Sequence, residues 1–533
     1  MSPARPTPHA RAYAVSTVEP GREWFWPGVG GLTAGVAAFL LARLTAWPPH
    51  EDETLALFVG RNSLVGLFKT VQTERGGAPL HFLFAWLVVH LGGGLAGLRL
   101  FSALFAVASV PVIAVLARRI AGSIPALIAT ALVSASWMLL FHGIYGRMYS
   151  LFLLTSALSY LACLDAVTRG GGRRWALWAL AVLLTVATHP YGALVLASQV
   201  VYVLARARTR DALVAIASVA VLGTPFWYSD LVLAGRFDVG VGSGGKKLDG
   251  PGAVLDYLFR VAGDFTVGYT LAIVAILVVA AVGARELRLR NRNAAWLIAC
   301  VIGVPMAAFL LARFGESTSP ESRHLIFVLP FFAVLVALGL IQLTGHRTPL
   351  LVAAVLVLVG AEVAWGWSKT APLYKGEPAV RVEARKEASE WLAQRARKDD
   401  VLFGYEPLYL DAREKGAPFG SVIVQRADPR LAVESLDEAP KPLGRGVWIF
   451  DASDQSDPGR VSLTIPETVP GPIFESRAWG PFLVIRTKEP VRNAEDFFRD
   501  TAAVELEGRI LGVGDASINL QTAVTALSRL EGR

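Results

Sequence analysis

The chain has 533 residues, of which 53% are hydrophobic and only 18% charged, with a formal net charge of +8 and a mean hydropathy of +0.47. That balance leaves too little polar surface for a water-soluble protein of this size and indicates a polytopic membrane protein. The two cysteines, Cys163 and Cys300, both sit in apolar runs and supply no disulfide framework.

In chain order, residues 1–27 form a polar tail with no small-residue cleavage site behind a short apolar core, so the first apolar run reads as an uncleaved anchor. Runs of roughly 20 apolar residues, the length that crosses a bilayer, recur at 28–46, 98–117, 122–142, 148–167, 174–188, 190–205, 211–229, 266–284, 294–313, 324–344 and 349–367, about eleven in all. Residues 47–97 form a first outer loop between the first two runs. Within it, APLHFLFAWLVVHLGG (78–93) is too short for a span and carries His81 and His90, which predicts an interfacial or re-entrant helix.

The short loops ARRIAG, TRGGGRRW, RARTRD, ARELRLRNRN and TGHRT concentrate arginine and alternate with loops poor in it. The positive-inside rule therefore places them, and the N-terminus, in the cytoplasm. The unbroken run WALWALAVLLTVATHPYGALVLASQVVYVLA has arginines at both ends, so the chain is expected to turn back at His189-Pro190-Tyr191. Proline keeps the residue before it out of the helical region, which fits a turn.

Beyond Trp367 the composition changes. Residues 368–533 are charged and alternate a helix-like piece, VRVEARKEASEWLAQRAR, with strand-like pieces, DVLFGY, GSVIVQ, GVWIFDA and PFLVIRTKEP. That pattern predicts a small α/β domain. An odd number of spans puts it outside the cytoplasm. The fold class expected is an α-helical polytopic membrane protein, residues 28–367, with a C-terminal extracytoplasmic α/β domain, 368–533.

A charge at the bilayer centre costs several kcal/mol, roughly 2.5–3.5 on insertion scales. This chain keeps its charges away from span centres. Titratable residues gather instead in four outer segments: HEDE (50–53), HGIYGRMYS (142–150), THPY (188–191) and GESTSPESRH (315–324). Singly, each has a plainer reading: a solvated loop, an arginine reaching to headgroups, a histidine satisfying a turn carbonyl. Together they bring carboxylate, imidazole, phenol and guanidinium to one face, the pattern of a site at the outer interface. The loop DVGVGSGGKKLDGPG contains Gly240-x-Gly242-x-x-Gly245 and ends on Lys246, but Lys247 stands where a phosphate-binding loop needs Ser or Thr. It reads as a mobile glycine loop and not as a nucleotide site.

Across roughly residues 27–370 the sequence resembles the membrane glycosyltransferases of the C superfamily, in the bacterial branch grouped with protein O-mannosyltransferases and aminoarabinose transferases. The resemblance rests on Asp52-Glu53, on GGAPLHFLFAWLVVHLGG followed by GLRLFSALFAVASVPVIAVLARRIAG, and on YGRMYSLFLL, THPYGALVL and SRHLIFVLP. It implies a multi-pass enzyme of a bacterial plasma membrane that binds a polyprenyl-phosphate sugar, its lipid lying between helices. The sugar passes, with inversion, to a cell-envelope acceptor (glycan, lipid or protein) on the extracytoplasmic face; nucleic acid has no part in it.

The family's first-loop aspartate matches Asp52, the expected base, and Glu53 beside it would hold the acceptor, a partner residue or a divalent cation. Arg147, Tyr149, Arg323 and His324 are the expected donors to the departing phosphate, with His189 and Tyr191 beside them. Glu51, His81 and Glu316 are additional candidates. Two departures stand out. Gly77-Ala78-Pro79 replaces the family's Lys, Asp or His before proline, and His324 replaces a commoner Tyr, so Arg75 or Lys246 would complete the phosphate clamp. Two other functions fit a membrane protein. A transporter or flippase of a lipid-linked saccharide would show midplane charges and inverted repeats, and a noncatalytic assembly protein would need no acid facing a membrane cavity.

Overall fold

A computed structural model describes residues 22–77, 79–237, 250–313, 321–403, 407–416, 423–424, 432–433, 436–437, 439–451, 473–510, 524–528 and 530–531. Helix α1 (Arg22–Ala42) carries the first apolar run. The first outer loop folds into α2 (Glu51–Val59), α3 (Leu64–Lys69), a π-helical turn to Arg75, and α4 (Pro79–His90). The helices that follow are α5 (Leu95–Ala121), α6 (Ser123–Ala135), α7 (Trp137–Ile144), α8 (Tyr149–Arg169), α9 (Gly172–Thr188) and α10 (Gly192–Arg206). After them come α11 (Arg210–Leu222), α12 (Thr224–Phe237), α13 (Pro251–Asp264), α14 (Thr270–Arg290) and α15 (Arg292–Arg313). A 3-10 helix (Ser322–Val328), α16 (Leu329–Leu343) and α17 (Thr348–Lys369) complete the apolar region.

Helix therefore stands on every stretch expected to cross the membrane. By length and composition, however, six of the described helical stretches can span, or up to eight if α6–α7 and α11–α12, each bent by 51°, are taken as single spans. The expected eleven is not confirmed among the described residues, because several of the helices on these runs are short for a span: α9 has 17 residues and α10 has 15. Large apolar side chains such as Leu271, Val357 and Leu222 lie on the outside of the bundle, as lipid permits and water does not. The protein is a multi-pass membrane protein.

Close packing inside the bundle rests on small residues. A Cβ on Gly283 of α14 would sit 1.8 Å from the Leu335 carbonyl, and one on Gly339 of α16 would sit 2.0 Å from the Val279 carbonyl. The two backbones touch where neither side chain exists, the usual device where lipid removes the hydrophobic drive for helix association. Gly339→Leu should therefore force α14 and α16 apart and cost about 1–3 kcal/mol or more. A drop in detergent thermal stability with this variant, absent in Gly360→Leu where a Cβ meets nothing within 4 Å, checks it.

After α18 (Ala371–Lys375) and α19 (Ala379–Arg395) the chain enters a five-stranded sheet, order β2-β1-β3-β5-β4. The strands are β1 (Val401–Phe403), β2 (Ile423–Val424), β3 (Gly446–Asp451), β4 (Phe474–Trp479) and β5 (Phe482–Thr487), with α20 (Pro407–Glu414) between β1 and β2. β1 pairs parallel with β2 and β3, whereas β3, β5 and β4 pair antiparallel, with Ile449 opposite Val484. Four strands fall on the Val/Ile-rich pieces of the sequence. β4, FESRAW, was not legible because its exposed face is polar and only its ends are buried.

Strand alternation sends the two faces into different cores. Val401, Phe403, Trp448 and Ile485 face a cluster with Phe497 of the helix Ala494–Ile510. Leu402, Val447, Ile449 and Val484 join Ala388 and Leu392 of α19, Leu408 and Ala412 of α20, and Leu55, Val59, Phe82 and Val88 of the first outer loop in one apolar cluster. The C-terminal sheet is thus fused to the loop that carries the acidic pair. Arg385 reinforces this end by bonding Glu377 and, at 2.8 Å, Asp411.

Candidate active site

The site starts from the way HEDE folds. His50 is extended (φ −121°, ψ 147°) and caps α2: its Nδ1 accepts from the Asp52 amide at 3.2 Å, while the Glu53 carboxylate accepts from the His50 amide at 3.1 Å. This reciprocal box satisfies two otherwise orphaned N–H groups at the helix start. Successive helical residues diverge by about 100°, so the box turns Glu53 inward and leaves Asp52 on a more accessible side.

Glu53 is fully buried, and its two oxygens accept four hydrogen bonds. Arg99 of α5 donates Nε at 2.8 Å and Nη2 at 2.7 Å, Gly146 donates its amide at 2.7 Å, and His50 its own at 3.1 Å. The remaining Arg99 donors go to the carbonyls of Trp47 (2.7 Å) and Pro48 (3.0 Å). The bidentate pair ties the linker before α2, the start of α2 and the 145–147 segment to one point. Gly146 is required there, because a Cβ would stand 2.9 Å from Glu53 Oε1. Of the three roles expected for Glu53, holding the acceptor, a partner residue or a divalent cation, the structure shows it holding a partner residue, Arg99, with its lone pairs taken up inside the protein.

Asp52 is the carboxylate that stays accessible, its side chain 29% exposed. Tyr145 donates from its hydroxyl at 3.1 Å to Asp52 Oδ2, and the Tyr145 hydroxyl oxygen lies 3.0 Å from His50 Nδ1. Arg147 Nη1 stands 3.6 Å from Asp52 Oδ1 and 3.4 Å from its carbonyl. Burial by itself would raise the Asp52 carboxyl, but Arg147, then His50 and Arg323, and the Tyr145 hydrogen bond hold it well below the usual carboxylate range. His50 is lowered, chiefly by burial against the opposing pull of Asp52 and Glu53, and so stays a neutral acceptor.

Two breaks in the apolar helices supply the rest. Ser136 adopts an extended conformation that ends α6, and its hydroxyl caps α7 by accepting from the Met138 amide. The bend aims α7 and the segment after it, carrying His142, Tyr145 and Arg147, at the first outer loop. His189 ends α9 in extended backbone before Pro190, as the turn expectation requires, and its Nδ1 accepts from the Tyr191 amide.

Tyr149, His189, Tyr191 and His324 form one ring cluster with centroids 4.7–6.0 Å apart, and the Arg323 guanidinium lies 5.2 Å from the Tyr149 centroid. Arg323 opens the 3-10 helix, where Ser322 donates to Asp264, which also pairs with Lys369. Two residues on, Leu325 and Val328 line an apolar cavity of about 270 Å³ shared with Tyr257, Phe265, Met306 and Phe332.

With the geometry in view, the chain compares with solved structures as follows. ArnT from Cupriavidus metallidurans, bound to undecaprenyl phosphate, superposes with a TM-score of 0.55 at 15% identity, covering 86% of this chain and 97% of that one; its apo form gives the same values. The fold is shared with ArnT. The Archaeoglobus fulgidus oligosaccharyltransferase in complex with Zn and sulfate is more distant, with a TM-score of 0.47 at 12% identity over 79% of this chain and 68% of that one. No protein-family model and no curated relative matches the sequence.

Of the residues expected at the site, Asp52, Arg147, Tyr149, His189, Tyr191, Arg323 and His324 come together. His81 of α4 joins them, buried and close enough for the charges of Arg147 and Asp52 to act on it. Lys246 and Glu316 lie outside the described residues, and only the backbone of Glu51 and Arg75 is described. Among the described residues no three His, Cys, Asp or Glu side chains are grouped to hold a metal ion. Sequence reasoning gave the segment 142–150 without singling out His142 or Tyr145, and missed Arg99 as the partner of Glu53. That pairing joins residues 46 apart and has no local signature.

Proposed function

We propose that this protein transfers a sugar from a polyprenyl-phosphate donor to a hydroxyl of a cell-envelope acceptor on the extracytoplasmic face of a bacterial plasma membrane, with inversion. One observation carries the reading. An accessible carboxylate, Asp52, stands 3.6 Å from the Arg147 guanidinium; Arg323, itself paired with Glu321 at 2.7 Å, adds positive charge near it, and Leu325 and Val328 just beyond Arg323 line an apolar cavity able to take isoprenoid chain. An anion clamp next to a lipid slot suits a lipid phosphate, and a carboxylate across from it suits a base.

In this mechanism Arg323 and Arg147 bind the phosphate, with Tyr149 and His324 beside it. The acceptor hydroxyl gives its proton to Asp52 as its oxygen attacks the anomeric carbon, while the bond from that carbon to the phosphate oxygen breaks and the polyprenyl phosphate leaves. Phosphate binding also readies the base, because an anion that draws Arg147 and Arg323 away removes the charges that hold Asp52 low. Glu53 and Arg99 position the base without touching substrate. The C-terminal domain, proposed to lie outside the cytoplasm, braces the same loop.

Binding of undecaprenyl phosphate to the purified full chain tests the clamp. Each of Arg323→Ala and Arg147→Ala should weaken binding about ten- to a hundredfold, the worth of a charge-assisted contact of about 1.5–3 kcal/mol. Lysine at either position should restore only part, because it lacks the planar fork. Unchanged affinity in both alanine variants would remove the arginines from the donor site.

A further inference from the structure

His142 has no part in the chemistry above, yet its surroundings are unusual. The side chain is 1% exposed, and neither ring nitrogen has a hydrogen-bond partner among the described residues. Orphaned buried polar atoms are rare and cost about 1–3 kcal/mol each. A phenylalanine or leucine would fill this place in WMLLFHGI at less cost, so packing alone does not account for an imidazole.

Its position does. The ring lies 6.1 Å from that of Tyr145, whose hydroxyl holds Asp52, and 4.7 Å from that of Tyr149, which carries Arg323 on its face. His142 therefore neighbours both the tyrosine that holds the base and the tyrosine that carries one arginine of the clamp. In an inverting transfer the anomeric carbon must lie between the base and the clamp, and the sugar ring must lie beside it. A neutral imidazole offers one N–H donor and one acceptor nitrogen, the complement of a pair of neighbouring hydroxyls. Two cations, Arg323 and Lys369, act on the ring, which disfavours a charged amino group on the part of the sugar nearest His142.

We infer that His142 is the specificity-determining contact to the transferred sugar, reading two hydroxyls of a neutral sugar. This rests on the function proposed above. The experiment measures binding of bare undecaprenyl phosphate and of undecaprenyl-phosphate-linked glucose, mannose, arabinofuranose and an amino sugar to wild type, His142→Leu and His142→Gln. Wild type should prefer at least one neutral-sugar lipid over the bare lipid by about tenfold, the worth of one to two neutral hydrogen bonds. His142→Leu should erase that preference while leaving bare-lipid affinity within about twofold. His142→Gln, which keeps a donor and an acceptor, should keep part of it.

Folding is not the obstacle, because replacing an orphaned polar group by an apolar one of similar size is close to neutral or stabilising; an unchanged or raised melting temperature of His142→Leu checks that. A sugar preference intact in His142→Leu, an equal loss for bare and sugar-bearing lipids, a preference for the amino sugar, or no sugar preference in wild type would each overturn the inference. If wild type binds no polyprenyl phosphate at all, the proposed function falls first.

Discussion

Asp52→Asn should lower kcat for sugar transfer by about 10²–10⁴, the usual worth of a general base, while undecaprenyl-phosphate affinity stays at or above that of wild type. Asparagine keeps the shape and the acceptor for the Tyr145 hydroxyl but cannot take the acceptor's proton. The pH profile gives a second readout. Arg147, His50 and Arg323 keep Asp52 ionised in the free protein, so the acid limb of kcat/KM should fall below the ordinary aspartate value of about 3.9. In kcat, where donor phosphate shares both arginines and adds negative charge, the limb should move up. Near-normal turnover in Asp52→Asn would end the first-loop mechanism.

The second large effect is on stability. Arg99→Leu or Glu53→Leu leaves one charge buried without its partner, and such losses cost about 3–5 kcal/mol. Replacing both by apolar residues should cost less than the sum of the singles, because no charge is then stranded. Thermal unfolding in detergent of the two singles and the double variant measures this, and singles within about 0.5 kcal/mol of wild type would show that the pair holds nothing together. Asp52→Asn should leave the same unfolding transition nearly in place. The two variants at adjacent positions thus separate a residue that acts on substrate from one that holds it.

Membrane class and helix positions were legible because they depend on local composition: runs such as 98–117 or 349–367 declare themselves by apolar length. The turn at His189-Pro190 was legible because proline restricts its neighbour. The number of spans was less so, because how much of a run is helix depends on caps and bends such as Ser136, which no hydropathy average registers. Strand β4 escaped for the opposite reason: its polar residues are accommodated by an open face and a hairpin with β5.

The gathering of Asp52, Arg147 and Arg323 could be argued from sequence because charged residues avoid lipid and must collect where the spans end. Sequence by itself therefore determined the membrane bundle and most of the short set of side chains that meet in it. Tertiary structure alone decided their surroundings. Asp52 and Glu53 are adjacent and chemically alike, and only the approach of Arg99 and the Gly146 amide consigns one to a buried ion pair and leaves the other accessible. Such a choice is made by groups distant in the chain, whose hydrogen bonds exist only after the helices have packed.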